Sequence, residues 1–598
     1  MAVDQSPMNK LITEHIDIWT SAVKTRSTSG RGSSKKLELY GAKKLRELIL
    51  ELAVRGKLVP QDPSDEPASV LLERIAEEKK RLVKDKLIPR TKGLPPINED
   101  EIPIDLPNGW TVVRLGELTS KLGSGSTPRG GKNAYTSEGI PFLRSQNVRN
   151  EGIKLDDIAY ISEEIHQKME NTKVLPGDVL LNITGASLGR STIFPSNLVE
   201  ANVSQHVTII RLIESQMNQF IHLGILSPLV QQLVWGRQVG MAIEGLSKKV
   251  LEMFEFPIPP IAEQHRIVAK VDELMALCDQ LEQQTETSIE AHQVLVTTLL
   301  DTLTHSADAN ELMQNWARIS EHFDTLFTTE ESINQLKQTI LQLAVMGKLV
   351  PQDPSDEPAA KLLKRIAEEK AQLVKEKKIK KQKALPPISE DEKPFELPSG
   401  WEWCRVDDVV ALKHGFAFKS SYFLESSGPY VLTTPGSFYE TGGFRDRGDK
   451  TKYYDGPLEE EFIFEANDLI IPLTEQAPGL LGSAAFIPED GRTYLHNQRL
   501  AKLTPYHDAV RKDYIYWYFN SPYLRSELAR TCTGTTVRHS SPTKVQVTLF
   551  ALPPTNEQKN IVERIDSLLS ICQQLKARLN ESQATRLHLT DAIVEQAV

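Results

Sequence analysis

Two stretches of the chain are crowded with side chains that can hydrogen-bond to another molecule. The first offers Ser126, Thr127, Arg129 and Lys132 in a glycine-rich run, then Arg144-Ser145-Gln146-Asn147, Thr184, Ser187, Arg190, Gln205, Arg237 and Ser247-Lys248-Lys249. The second offers Lys413, Lys419, Thr434, Ser437, Thr474, Gln476, Asn497-Gln498-Arg499, Thr535, Arg538, His539, Ser541 and Lys544. Arg and Lys suit phosphate and guanine, Asn and Gln suit adenine, and Ser and Thr suit either. Clusters of this kind on loops are what reading a DNA duplex requires. Any single member is equally at home in a solvated turn, so the weight rests on the clusters. Phe416 and Phe418 could stack on bases or wedge between them, with core packing as the alternative.

No catalytic constellation accompanies these loops. A nucleotide-binding phosphate loop needs Gly-x4-Gly-Lys-Ser/Thr; here Gly131-Lys132 is followed by Asn133, and Ser126 stands where the first glycine should be. An amino-methyltransferase needs an amide or carboxylate before a Pro-Pro pair, whereas the chain reads Leu94-Pro95-Pro96, Ile258-Pro259-Pro260 and Leu552-Pro553-Pro554. No Ser/His/Asp or Cys/His set has motif context. Cys278, Cys404, Cys532 and Cys572 lack metal-ligand spacing, and Cys278 and Cys572, at equivalent positions of the repeat, are expected to be small buried apolar residues. The expectation is no catalytic residue, no metal and no cofactor in this chain.

The elements that hold the loops occur twice. Leu52–Ala68 and Leu343–Ala359 differ only at Arg55 against Met346, 291 residues apart. The match continues at Leu94 and Leu385 and at Gly109-Trp110 and Gly400-Trp401. A second block, Pro259-Pro260 through Val268, returns at Pro553-Pro554 through Val562, offset by 294. Between the blocks lie two divergent inserts. Their short β-like runs (GDVLLNI and HVTIIRL; DLIIPL and LAKLTP) predict twisted sheets with a few short helices, Glu163–Met169 and Val510–Phe519. Helices are expected from about Leu37 to Ala53, ended by Gly56, and over Ala68–Leu87, with an N1 proline at its start, and the series recurs over Ile333–Ile379. Apolar residues at heptad spacing run Ile267, Val271, Leu274, Cys278, Leu281, and again Ile561, Ile565, Leu568, Cys572, Leu575, Leu579, resuming at Leu589 and Ile593. This is a coiled-coil seam, or alternatively ordinary bundle packing. Forty such residues would span about 60 Å, and two such helices packed antiparallel would make a rigid spacer.

These readings give an α/β (α+β) chain with an internal pseudo-twofold repeat. Its parts are a polar N-terminal extension (1–44) with a flexible middle, first frame helices (45–110), an insert (111–257), a central helical region (258–401), a second insert (402–551) and a distal helix (552–598). At 598 residues one core is excluded. The net charge of −10 argues weakly against nucleic acid, but the acid is concentrated in the helices. There is no signal pattern and no membrane-length apolar run, so a reducing cytoplasm fits.

Frame and inserts together resemble the specificity (S) subunits of type I restriction–modification systems, nearest the type IB branch. The residues that carry the resemblance in the first insert are Ser126-Thr127-Pro128, Ile140-Pro141-Phe142-Leu143-Arg144-Ser145, Leu175-Pro176-Gly177-Asp178 with Thr184-Gly185, Ser204-Gln205, and Leu246-Ser247-Lys248-Lys249 leading into Pro257. The second insert keeps Asn467-Asp468-Leu469 with Thr474, Asn497-Gln498 and Lys544 into Leu552-Pro553-Pro554, but Asn467 replaces a glycine. The resemblance implies that each insert is a target recognition domain reading half of a bipartite, asymmetric site in double-stranded DNA. It implies two modification subunits that use S-adenosylmethionine to methylate adenine N6. Two restriction subunits would add ATP- and Mg2+-dependent translocation and cleavage, in a bacterial cytoplasm without membrane contact. The near-identical frame would meet the same partner twice. The competing reading is a non-catalytic coiled-coil scaffold for protein interactions.

Overall fold

The doubled blocks of sequence lie against each other in space. In the computed structural model, which describes residues 7–27, 35–102, 104–238, 245–307, 309–379, 385–475, 477–532 and 538–598, Gln61 of the first block donates to Glu263 of the second at 3.2 Å. Arg266 pairs with Asp65 at 2.6 Å, and the Ala68 amide donates to the Gly109 carbonyl at 2.9 Å. The second copy repeats this with Gln352 on Glu557 (3.1 Å), Asn556 on Asp356 (2.7 Å) and Ala359 on Gly400 (2.8 Å). Internal contacts therefore account for some of the near-identity.

The chain divides into two units: the described residues up to Thr287 with Gln583–Val598, and Ser288–Ser582. The helices Ile261–His305, of 45 residues, and Thr555–Ala597, of 43, each begin in one unit and end in the other. At the ideal rise they are about 65 Å long. In the first unit, helix Tyr40–Val54 turns Leu45, Leu48, Ile49 and Leu52 onto one face, as a 3.6-residue period dictates. They share a cluster with Ile267, Val271, Leu274, Cys278 and Leu281. In the second unit, helix Glu330–Val345 does the same for Ile561, Ile565, Leu568, Cys572, Leu575 and Leu579. Over these turns the heptad stripe is filled by each unit's own frame, as in a bundle. Burial raises the Cys278 and Cys572 thiols to about 11, consistent with inert core residues. Where the expected stripe resumes, Ile593 packs on the first unit's core with Val594 beside it, but Leu589 is 44% exposed and leaves the stripe.

Gly56 and Gly347 end the frame helices in the left-handed region at φ +67 and +69. A side chain there would also strike Pro107 or Pro398, so glycine is required twice over. Charged helices follow, Ala68–Lys84 and Ala359–Lys375. Pro67 and Pro358 are the N-caps, one position before the N1 site expected from sequence.

The N-terminal segment is more than a polar extension. Helices Pro7–Glu14 and Ile16–Ser21 bury Met8, Ile12 and Trp19, and strands Lys24–Ser27 and Lys35–Glu38 pair antiparallel. The middle of the expected flexible run, 28–34, lies outside the described residues. This segment is the first copy's version of helices Ala309–Ser320 and Phe323–Leu326. Helices Ile16–Ser21 and Phe323–Leu326 start on matching histidines, His15 (φ −118, ψ 22) and His322 (φ −117, ψ 19). Lys57 donates to the Val598 carbonyl as Lys348 donates to those of Thr304 and Ser306. The pseudo-repeat thus covers the frame to its ends.

Each insert is entered and left through one antiparallel ladder, Thr111–Arg114 with Glu255–Ile258 and Glu402–Arg405 with Leu549–Leu552. Inside, the two share a topology despite their divergence. The first has a four-stranded antiparallel sheet in the order Ser191–Ile193, Val179–Asn182, Val207–Leu212, Thr119–Ser124. The second answers with Ala485–Phe486, Leu469–Pro472, Leu500–Pro505, Val410–His414. A second, mixed sheet in each contains one parallel pair, Ala201–Val203 beside Ile140–Leu143 and Tyr494–Leu495 beside Tyr430–Leu432. The two short helices expected from sequence are Glu163–Lys168 and Lys512–Phe519, and Asn218–Leu226, Pro228–Gly236 and Pro522–Arg530 are among others. Among the described residues no helix is long and apolar enough to cross a membrane, and no group of side chains could hold a metal ion.

Candidate nucleic-acid interface

The loops singled out from sequence meet at one end of each four-stranded sheet. In the first insert the strand Val207–Leu212 is preceded by the turn Ser204-Gln205-His206, closed by the Val207 amide on the Ser204 carbonyl at 3.0 Å. Gly125 donates to Val207 (3.0 Å) and Ser126 to Val203 (3.1 Å), which lays the Ser126–Arg129 run over this turn. A Cβ on Gly125 would come within 1.9 Å of the Val203 carbonyl oxygen, so only glycine permits the approach. Thr127 hydrogen-bonds Gln205, Gln205 meets His206 at 3.2 Å, and His206 meets Thr184 at 2.7 Å. Ile183 donates to the His206 carbonyl and accepts from Leu246, bringing the 245–249 segment alongside. The fully buried Asn182 donates to the Ser145 carbonyl at 2.8 Å and exchanges backbone bonds with Gly189 and Arg190. Asn182 thereby joins the 144–147 and 184–190 loops.

The second insert reproduces this arrangement with different side chains. Gly415 donates to Leu500 (3.3 Å) and Phe416 to His496 (2.8 Å), and Gln498 donates back to the Phe416 carbonyl (2.8 Å). Here too glycine is forced, since a Cβ would lie 2.2 Å from the Asn497 oxygen. Leu473 donates to Arg499 and accepts from Ser540, and Thr474 meets His539 at 3.2 Å. Gly125, Ser126, Gln205 and Thr184 thus correspond to Gly415, Phe416, Gln498 and Thr474. His496 sits beneath the turn and donates to the Leu500 carbonyl at 3.2 Å. Burial lowers its pKa to about 4, so it is neutral at physiological pH.

Exposed at these loop ends are Ser126, Thr127, Arg129, Gln146, Gln205, Ser247, Lys248 and Lys249 in one insert. In the other they are Lys419, Gln498, Arg499, Arg538, His539 and Ser541. Arg144, Ser145, Thr184, Ser187, Arg190, Thr434, Asn497 and Lys544 are half-buried. Ser247 and Ser541 also cap short helices, accepting from Val250 and Lys544 at 3.3 Å each. Gln476, Thr535 and the side chain of Lys132 lie outside the described residues.

Several candidates are committed elsewhere. Asn147 is fully buried, accepting from the Arg144 amide and donating to the Lys154 carbonyl, both at 3.0 Å; it shapes the turn and cannot reach outward. Ser437 is buried and accepts from the Thr434 amide, and Thr474 is buried with only its hydroxyl on His539. Arg237 pairs with the buried Glu255 at 2.8 Å and lies over Phe254. Lys413 is on the sheet, on the Glu461 carboxylate (2.9 Å) and carbonyl (2.6 Å). Lys544 donates to the Thr531 carbonyl at 2.5 Å, and Arg538 is divided between Glu475 and the Ala529 carbonyl. Phe418 belongs to the core, 8% exposed, whereas Phe416 is 41% exposed. Sequence reasoning missed His206 and Asn182. His206 stood beside the chosen Gln205, but nothing in sequence marked Asn182, whose role depends on a loop 37 residues away.

The family described as the type I restriction modification DNA specificity domain matches residues 107–291 and again 398–582. The specificity subunit of the type I restriction enzyme EcoAI of Escherichia coli is 42% identical over 608 residues, spanning 99% of this chain and all of that one. The EcoEI specificity subunit, also of Escherichia coli, is 41% identical over 602 residues, with 99% and 100% covered. A solved structure titled for complex assembly and conformational transition of the type I R-M system aligns with 82% of this chain and 98% of its own at 19% identity, with a TM-score of 0.47.

Proposed function

The chain belongs to the type I restriction–modification DNA specificity family, and on that premise we propose that its two inserts read the two dissimilar halves of a bipartite, asymmetric duplex site. It is the DNA-recognition component of its system and not a catalytic subunit. One observation carries the division of labour: both inserts end the same sheet in the same tight turn under a glycine-pinned loop, yet the side chains differ, Ser126 and Thr127 against Phe416 and Ala417. A shared scaffold with different contact groups reads different bases.

Exposed Arg129, Lys249, Lys419 and Arg499, with half-buried Arg190, would hold phosphates, and Gln205, Gln146, Gln498 and Asn497 would reach base edges. The repeated frame, with its outward Asp62-Pro63-Ser64 and Asp353-Pro354-Ser355 turns, would engage two modification subunits in equivalent ways. Those subunits would supply S-adenosylmethionine and a pocket for the flipped adenine; two restriction subunits would supply ATP- and Mg2+-dependent translocation and cleavage. The half-site centres would lie roughly 10 base pairs apart if both inserts face one side of the duplex. The scaffold reading, without DNA, has no need of such loop ends.

The test is to co-purify the chain with its modification subunit and exchange 111–257 for the insert of a relative. One half of the bound site should change and the other should stay. A change in both halves, or in neither, would contradict independent reading.

A further inference from the structure

We propose that Phe416 is a specificity-determining residue of the second insert, presenting its ring to the C5-methyl group of a thymine in the half-site that insert reads. The inference rests on the bipartite reading above and names one contact within it. Phe416 occupies the place that Ser126 holds in the first insert, directly after the pinned glycine and over the base-reading turn. Its neighbours on that surface, Gln498, Arg499 and Lys419, are exposed and polar. A phenyl ring 41% exposed in such company offers apolar surface whose cover by an apolar group of the DNA is favourable. The thymine methyl is the apolar feature of the major-groove edge, and Phe is among the side chains that match it.

The support of the ring argues against its acting as a wedge. Phe418 packs against it edge-on at 5.3 Å between centroids, and Phe462 lies at 5.1 Å and 37°. Its backbone is tied on both sides, by its amide to His496 and by its carbonyl from Gln498, at 2.8 Å each. An intercalating side chain must project far enough to unstack neighbouring base pairs; a ring braced on two neighbours and pinned at both backbone groups presents an edge. The adjacent change points the same way. Ala417 stands where Thr127 bonds Gln205, so the second insert has given up a polar link at this spot.

The experiment uses the complex with its modification subunits and a duplex bearing its motif. Each thymine of the half-site assigned to the second insert is replaced singly by deoxyuridine, which lacks only the methyl. One position should weaken binding about three- to tenfold, the scale of one methyl-sized apolar contact. F416A and F416S should weaken binding to the thymine duplex by a similar factor and erase the thymine preference, and F416L should keep most of it. Discrimination at the other half-site should be unchanged in all three, which separates lost contact from lost fold. Sequence-specific binding with no deoxyuridine-sensitive position would overturn the inference while leaving the bipartite reading intact. Brightening of 2-aminopurine in the wild-type complex but not in F416A would overturn it in favour of a wedge. Binding without any sequence preference would sink both.

Discussion

An arginine shared by the two copies tests how each insert is anchored, because the residue opposite it in the ladder is charged in one copy and apolar in the other. Arg114 is 2% exposed, pairs with Glu255, which is also 2% exposed, and forms a two-pronged contact with Glu101 at 2.8 and 2.9 Å. Its counterpart Arg405 pairs with Glu392, which is 41% exposed, and donates to the Val547 carbonyl at 2.9 Å. Opposite Arg405 in the ladder stands Leu549, where the first copy has Glu255. Arg114→Met would leave Glu255 buried with Arg237 as its remaining ion partner, a loss of about 3 kcal/mol, the low end for a broken buried pair. Arg405→Met would leave a carboxylate that water can reach and one carbonyl short of a donor, about 1 kcal/mol. A chain of several units does not unfold in one step, so the readout should be local. Native-state hydrogen exchange read by mass spectrometry reports opening of each ladder separately. Exchange at Glu255–Ile258 should quicken on the order of a hundredfold in R114M, and at Leu549–Leu552 only about fivefold in R405M. Adding Glu255→Leu to R114M, which removes the buried carboxylate and puts the second copy's leucine in its place, should recover most of the loss. Equal effects in the two copies, or no recovery in the double variant, would refute the reasoning.

Further outcomes follow from the same geometry. Binding to the cognate duplex should weaken steeply with salt, and Arg129→Ala, Lys249→Ala and Arg499→Ala should each lower the slope of log K against log[salt] by about 1 with little change in sequence preference; a flat salt profile would favour the scaffold reading. Burial raises the pKa of Glu263 and Glu557. A carboxyl raised on folding adds stability below its unfolded pKa and loses it as pH climbs through the folded value. The stability of E263Q relative to the wild type should therefore rise from acid toward neutral pH, and a constant difference in pH-dependent denaturation would count against this. Asn182→Ala should cost about 1–3 kcal/mol locally and weaken reading of the first half-site alone, measured by competition with half-site variants. Removing seven residues from both long helices should alter the gap between half-sites or abolish assembly, leaving the half-sites themselves unchanged.

What could be read from sequence follows from how local the signal was. Helices Tyr40–Val54 and Ala68–Lys84 were visible because period and terminators sit within one window, Gly56 included. The strands Val179–Asn182 and Val207–Leu212 were visible as short apolar runs between turns, the second of them largely β-branched. The loop clusters were found as clusters, while their members sorted themselves only through long-range contacts. Asn147 and Asn497 look alike in sequence, yet one is buried between Arg144 and Lys154 and the other lies on the turn. Arg237 looked like a phosphate ligand because nothing nearby in sequence announces Glu255 as its partner. The N-terminal helices were missed because their match to 309–326 is short, at a different offset from the frame, and separated from it by a hairpin the second copy lacks.

The central claim is that two inserts on one repeated frame read two different half-sites. Co-expression of this chain with its modification subunit, followed by single-molecule mapping of N6-methyladenine across the genome, tests it most directly. The account predicts one split, asymmetric motif with a methylated adenine in each half. A continuous or palindromic motif, or an intact complex that leaves the genome unmethylated, would contradict it.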